Sequence, residues 1–131
     1  MTMQLGIREL AAWILVALSL GLTSCGGGGG ARTVLPQLVA GDSHTVAIKA
    51  NGTLWAWGWS HHGELGNATA SDSDTPVQVG TDGDWQSVSA GYWHTAAIKN
   101  NGTLWTWGSN QNGQLGNATH TNSHKPVQIR K

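Results

Sequence analysis

The sequence predicts an all-β protein, and three observations support this class. A stretch of about 50 residues occurs twice in the chain, which is typical of repeat architectures. Within each copy, apolar and polar residues alternate, as they do in β-strands that are buried on one face. The 131 residues include 19 Gly, 8 Trp and no Phe, a composition that suits short strands, tight turns and a few large aromatic anchors better than helices.

The two copies align without a gap at an offset of 50 residues. Between Gly41–Thr81 and Gly91–Lys131, 23 of 41 positions are identical. The glycine, histidine and tryptophan positions that both copies share are interpreted as structural, because the geometry of a repeated unit requires them. Those singled out include Gly41, His44, Gly52, Trp57, Gly58 and Gly66 in the first copy and Gly91, His94, Gly102, Trp107, Gly108 and Gly116 in the second.

Each copy is predicted to contain four strands. Apolar and polar residues alternate over 44–48, and the two-residue spacing of Trp55 and Trp57 places both indoles on one face of the next strand. Between these stretches stands Asn51-Gly52, and Asn101-Gly102 occupies the same place in the second copy. This pair favours a two-residue type I′ turn, in which both residues have positive φ angles. The remaining strands are expected at residues 38–40, 77–79, 87–90 and 127–129.

The segment before the repeats is interpreted as a lipoprotein export signal. Arg8 precedes an apolar run over residues 11–22, which is shorter than the roughly 20 residues that span a bilayer but fits the apolar part of a signal peptide. The run is followed by Thr23-Ser24-Cys25, which resembles the bacterial lipobox, and Cys25 is the one cysteine of the chain. An ordinary secretory signal and a buried N-terminal helix are the alternatives. The glycines at 26–30 predict a flexible tether.

This interpretation divides the chain into three parts. Residues 1–24 form a signal peptide with a helix, residues 25–34 form the lipidated Cys25 and its tether, and residues 35–131 hold the repeats, at about 35–84 and 85–131. The expected protein is exported and is held by lipid on the cell membrane or the outer membrane, where it faces the periplasm or the exterior.

Several fixed spacings in the second copy point to a known family. They are carried by Ala90-Gly91, His94-Thr95, Trp107-Gly108, Gly113-Gln114-Leu115-Gly116 and Pro126. These motifs resemble the repeats of the regulator of chromosome condensation family. The first copy differs at Ser60 and Glu64, where the second has Asn110 and Gln114. The resemblance implies four-stranded antiparallel propeller blades, two of which form an incomplete part of a seven-bladed β-propeller, and a role as a protein-binding scaffold.

The charge pattern argues against nucleic acid as a partner. Lys and Arg together number 7, equal to the 7 Asp and Glu, so no basic stripe is available to follow a phosphate backbone. His44 and His94 are expected to be structural and to bond neighbouring backbone groups through their ring nitrogens.

Metal binding has little support in the pattern. His120 and His124 lie in a loop-like region without a thiolate, which disfavours zinc. The carboxylates at positions 72, 74, 82 and 84 lack the further ligands of a calcium loop and are expected to be solvated. No catalytic residue, metal ligand or cofactor is assigned.

Two tryptophans are candidate contact residues because the repeats differ there. Trp59 and Trp93 have Ser109 and Ser43 at the equivalent positions, and exposed aromatic side chains are common binding anchors. The resulting hypothesis is a lipid-anchored envelope scaffold, not an enzyme, that binds a protein or glycan. The alternatives are a cell-envelope lyase or glycosidase and a truncated propeller fragment without activity. Because two blades leave two outer faces uncovered, residues 31–131 without lipid are expected either to self-associate, as a ring of several chains that completes a propeller, or to be poorly folded.

Overall fold

The computed structural model describes residues 34–130, and this part of the chain is all-β. The strands form two four-stranded antiparallel sheets in chain order, which confirms the predicted class and the two blades. The first blade consists of β1 (Gln37–Ala40), β2 (His44–Ile48), β3 (Leu54–Gly58) and β4 (Ser73–Gln78). The second blade consists of β5 (Trp85–Ala90), β6 (His94–Lys99), β7 (Leu104–Gly108) and β8 (Ser123–Gln128).

The predicted signal helix, Cys25 and the glycine run lie outside the described residues. Within the described range, no helix is long and apolar enough to cross a bilayer.

The inner hairpin of each blade has the register that the alternating pattern requires. His44 pairs with Gly58 and Ile48 pairs with Leu54, and the second blade repeats this register 50 residues later. The outermost strands differ from the prediction because β4 and β8 begin four residues earlier than expected, at Ser73 and Ser123. Each contains a proline, which an edge strand tolerates because one side of it has no neighbouring strand to receive an N–H.

The predicted type I′ turn is wrong. Gly52 and Gly102 have φ angles of 77° and 81°, but neither preceding asparagine has a positive φ. Gly52 N donates to Lys49 O at 2.8 Å, so the turn is centred one residue earlier and the glycine follows it, as in a three-residue hairpin loop. Asn51 Oδ1 instead accepts hydrogen bonds from the N–H and hydroxyl of Thr53, at 3.2 and 2.7 Å.

The two blades pack face to face and enclose the hydrophobic core. The face of the first blade that turns toward the second blade is called here the forward face, and the opposite face is the rear face. The same names are used for the equivalent faces of the second blade, whose rear face therefore meets the first blade. The forward face of the first blade contributes Val46, Ile48, Leu54 and Ala56 to the core, and the rear face of the second contributes Trp85, Val88, Ala97 and Trp107. Val34, expected in the tether, is buried in the same core. Each fully buried large apolar side chain contributes about 1.5–3 kcal/mol.

Candidate contact surface

One end of the two blades carries a group of aromatic side chains. The loop after β3 supplies Trp59, His61 and His62, and the turn between β5 and β6 supplies Tyr92 and Trp93. The ring centroids of Trp59 and Trp93 are 6.4 Å apart, so the two candidate contact residues are brought together from different blades. These five residues are called the aromatic cluster below.

Each ring of the aromatic cluster packs against at least one other ring of the cluster. His61 stacks on Trp59 at 4.9 Å, and the His62 ring lies 5.1 Å from Trp59 and 5.5 Å from Trp93. Tyr92 meets Trp93 edge to face at 4.8 Å. Tyr92 and Trp93 are exposed, while Trp59 and His62 are half-buried. The cluster therefore presents aromatic surface to water from a mutually packed arrangement.

Backbone geometry delivers both indoles to this end. Trp59 N donates to Ser43 O at 2.9 Å, which holds the loop after β3 against the β1–β2 turn. Gly58 has a φ of 105°, and a Cβ there would lie 2.5 Å from Ser43 O. Only glycine permits this close approach, so Gly58 fixes the position from which Trp59 projects. Gly108 repeats the arrangement, with Ser109 in place of the indole.

A buried carboxylate orients one histidine of the cluster. Glu64 is fully buried, and its Oε2 accepts from His62 N at 3.0 Å while Oε1 lies 3.1 Å from His62 Nδ1. In the second blade, Gln114 Oε1 accepts only the corresponding N–H, that of Asn112, at 3.0 Å. The first blade thus replaces a neutral amide with a carboxylate that holds the His62 ring beside both indoles.

The main chain of the same loop attaches to the second blade. Glu64 O accepts hydrogen bonds from Trp107 Nε1 at 2.8 Å and from Thr95 Oγ1 at 3.2 Å. Thr95 Oγ1 also lies 3.0 Å from His44 Nε2. These buried contacts form a polar seam across the blade interface, and they fix the loop that carries Trp59 relative to the turn that carries Trp93.

The predicted partner of His44 is therefore corrected from a backbone group to a side-chain hydroxyl of the other blade. Burial lowers the pKa of His44, a trend that His94 reinforces and that Glu64 and Asp42 oppose. Gly41 and Gly91 each lie against the ring of the histidine three residues later, where a Cβ would collide with it. His94, on the open side of the second blade, is half-buried.

At the other shared positions, burial depends on whether the residue lies in the blade interface or on an open face. Trp107 is buried in the interface, and Gly66 allows its ring to approach, since a Cβ at Gly66 would lie 2.7 Å from Trp107 Nε1. Trp57, the equivalent indole of the first blade, is only half-buried. A Cβ at Gly116 would meet no atom within 4 Å in the described part of the chain.

Three of the loop carboxylates that were expected to be solvated are about half exposed and also have polar partners in the protein. Asp72 Oδ1 accepts from Ser60 N at 2.7 Å, and Asp82 and Asp84 form ion pairs with the buried Lys99 at 2.5 and 3.1 Å. Burial alone would lower the pKa of Lys99, but the bonds to the two carboxylates hold that pKa above its ordinary value. Across residues 34–130, no three His, Cys, Asp or Glu side chains come together in a group that could hold a metal ion.

Tyr92, His61 and His62 were not predicted as contact residues. Each stands where the repeats differ, opposite Asp42, Gln111 and Asn112. The signal that selected the two tryptophans therefore extended to the whole cluster.

The chain is similar to proteins built from regulator of chromosome condensation repeats. The family model described as Regulator of chromosome condensation (RCC1) repeat matches residues 51–98 and 101–131, and a second model of the same description matches residues 37–64 and 85–114. A curated relative, the ultraviolet-B receptor UVR8 of Arabidopsis thaliana, is 35% identical over 48 residues, which are 37% of this chain and 11% of the receptor.

Solved structures share the fold. Human WBSCR16 superposes with a TM-score of 0.65 and 21% identity over 76% of this chain and 27% of its own. Prp20p from Saccharomyces cerevisiae, whose structure was described with its binding properties to Gsp1p and histones, superposes with a TM-score of 0.68 and 21% identity over 79% of this chain and 27% of its own. This chain spans about a quarter of the length of either structure.

Proposed function

Because the chain belongs to the regulator of chromosome condensation (RCC1) repeat family, we propose that it is a non-enzymatic binding module whose aromatic cluster contacts a protein partner. The observation that carries this proposal is the meeting of Trp59 and Trp93, two indoles that the equivalent repeat positions lack. Prp20p, a structural neighbour, has binding properties to Gsp1p and histones, which supports a protein as the partner class.

The chemistry of the cluster suits a protein surface. Tryptophan and tyrosine are enriched among the few interface residues that dominate binding energy, because they bury large areas and retain a hydrogen-bonding group. The contacts among the five rings and the Glu64–His62 pair hold the side chains in place before binding. Less conformational entropy is then lost when the partner docks.

Site-specific photo-cross-linking of the full chain in the cells that produce it tests the proposal. Benzoylphenylalanine at position 93 should give a discrete adduct with a protein, whereas the same residue at Asn100, at the opposite end of the second blade, should not. Trp59→Ser, which installs the side chain of the other repeat, should weaken the interaction roughly 30-fold, since loss of an aromatic anchor costs about 2 kcal/mol. Asn100→Ala, also an exchange between repeats, is the matched control.

Two outcomes would contradict a protein-binding role for the cluster. One is an equal adduct pattern from positions 93 and 100. The other is an adduct at position 93 whose yield does not respond to Trp59→Ser. Binding of the full chain to an array of glycans, with loss in Trp59→Ser, would reassign the cluster to a carbohydrate ligand.

The proposal places this module on the cell envelope through lipid at Cys25. The lipobox-like residues and the glycine run that follows them support it. Acyl chains contribute about 0.8 kcal/mol per buried CH₂ to membrane binding, so lipidated protein should stay with membranes in a salt wash. Fractionation of bacteria that express the full chain or Cys25→Ala measures this. Equal distribution of the two proteins would contradict lipid anchoring.

A further inference from the structure

Each blade has a forward face and a rear face, and within residues 34–130 one forward face and one rear face are covered. Ile48 and Leu54 on the forward face of the first blade are 1% and 0% exposed, whereas Ile98 and Leu104 at the equivalent positions of the second blade are both 39% exposed. The open forward face forms a shallow apolar depression whose floor and walls include Ser87, Ser89, Ala96, Ile98 and Leu104.

The rear face of the first blade is open in the same way. Trp85 of the second blade is 2% exposed in the interface, but Leu35, its equivalent, is 78% exposed. Leu38 is also exposed, whereas its equivalent Val88 is buried. Apolar side chains of this size on one exposed surface are typical of interaction sites.

We propose that the open forward face of one copy of this chain binds the open rear face of a second copy, head to tail, with the geometry of the blade interface inside the chain. This assembly goes beyond the proposed function because it uses the faces of the blades and leaves the aromatic cluster at their ends free. The interface within the chain supports a second copy as the partner, because there a forward face of this sequence already binds a rear face of this sequence.

The polar seam of the internal interface has a complete second set of donors and acceptors. The seam joins His44 to Thr95 and joins Trp107 to the main-chain oxygen of Glu64. The open forward face offers His94 and the main-chain oxygen of Gln114, and the open rear face offers Thr45 and Trp57. His94 is therefore expected to bond Thr45 of the second copy, and Gln114 O to accept from its Trp57.

The space for that indole is present. In the internal interface the Trp107 ring packs directly against Gly66. Gly116, the equivalent glycine, has no atom of residues 34–130 within 4 Å of where its Cβ would stand. The surface beside Gly116 is therefore open for the Trp57 ring of a second copy to approach.

Two contacts of the internal interface cannot be reproduced between copies. Gln37 bonds the main chain of β5 through both side-chain polar atoms, but Ser87 stands at the equivalent position and is too short to do so. Asp82 and Asp84, which pair with Lys99, belong to the segment that connects the blades. The joint between copies is therefore expected to be weaker than the joint within the chain, and assembly should be reversible.

Native mass spectrometry of the full chain from non-ionic detergent tests this proposal. Wild-type protein should give oligomers whose share rises with protein concentration. Leu104→Arg removes the forward face and Leu35→Arg removes the rear face, so each variant alone should be monomeric. Because each retains the face that the other lacks, a mixture should give 1:1 heterodimers and nothing larger. Ala70→Arg, on an exposed loop, is the matched control and should assemble like the wild type.

A variant that is unfolded would also fail to assemble, so folding is measured separately. Leu35 and Leu104 are not part of the buried core, so circular dichroism melts of both variants should match the wild type in dilute solution, where the wild type is also monomeric. Ile98→Lys and Leu38→Lys repeat the mixing experiment at a second pair of exposed positions. A wild-type chain that stays monomeric at all concentrations, single variants that still assemble, or folded variants that do not pair when mixed would each overturn the proposal. None of these outcomes changes the cross-linking at position 93.

Discussion

His44 and His94 occupy the same position of their repeats but meet different surroundings. The His44 ring is buried and bonds Thr95 across the blade interface, and its burial lowers its pKa below the ordinary 6.5. In the unfolded chain His44 binds a proton near pH 6.5, whereas in the folded chain it does so only at a lower pH. The free energy of unfolding should therefore be constant above about pH 7.5 and fall as the pH drops through 6.5.

Urea unfolding of the wild type and His44→Asn between pH 5 and 8 measures this effect. The variant loses the Thr95 contact, so it should be less stable at pH 8, and the difference from the wild type should narrow toward pH 5. Profiles that run parallel over this range would show that His44 does not contribute to the pH dependence.

Single residues show where prediction from the sequence stops. Ile48 and Ile98 have nearly identical neighbours in sequence, yet one is buried and the other is partly exposed, because burial depends on whether a second blade covers that face. Trp59 and Trp93 could be selected from the difference between repeats. The orientation of His62 by Glu64 could not, since it depends on a loop conformation that no local pattern encodes.

The glycines of the two inner hairpins share the same backbone strain but differ in packing. Gly52 and Gly102 share positive φ angles, which disfavour any other residue. A Cβ at Gly52 would also collide with Gly83 O of the segment that enters the second blade, while one at Gly102 would meet nothing within 4 Å among the described residues. Gly102→Val should lower the free energy of unfolding by about 1–3 kcal/mol through strain, and Gly52→Val should lower it further.

Urea titrations of the two variants against the wild type decide the order. Equal losses would mean that the approach of Gly83 to the first hairpin contributes nothing. An unchanged midpoint for Gly102→Val would contradict the strained turn itself.

The strands differ in how far the sequence determines them. The alternating pattern of β2 and the tryptophan pair of β3 predict the inner hairpin of the first blade, because these strands bury side chains on a defined face. The first four residues of β4, Ser73-Asp74-Thr75-Pro76, show no such alternation. It is a strand only because it borders β3, with a shift of register between Ala56 and Gly58, so it was not predicted.

At the scale of the whole molecule, Trp57 and Trp107 are equivalent indoles on two rear faces, of which the first is open and the second is covered by a blade. Trp107 is fully buried and donates to Glu64 O, so Trp107→Ala should lower the free energy of unfolding by about 3–5 kcal/mol. A domain of this size has a total stability of roughly 5–15 kcal/mol, so this variant should be close to unfolding. Trp57 is half-buried on the open rear face, and in dilute solution Trp57→Ala should cost much less.

The cost of Trp57→Ala should, however, depend on protein concentration. Head-to-tail assembly buries the Trp57 ring against a second copy, and any partner that binds only the folded chain stabilises it by mass action. As the wild type begins to assemble, its melting temperature should rise while that of Trp57→Ala stays constant, so the gap between them widens. Thermal melts over a hundredfold range of concentration measure the gap, and Trp107→Ala, whose open faces are intact, shows whether a damaged core alone removes the dependence. A gap that stays constant over this range would mean that no second copy covers the rear face, which would contradict head-to-tail assembly.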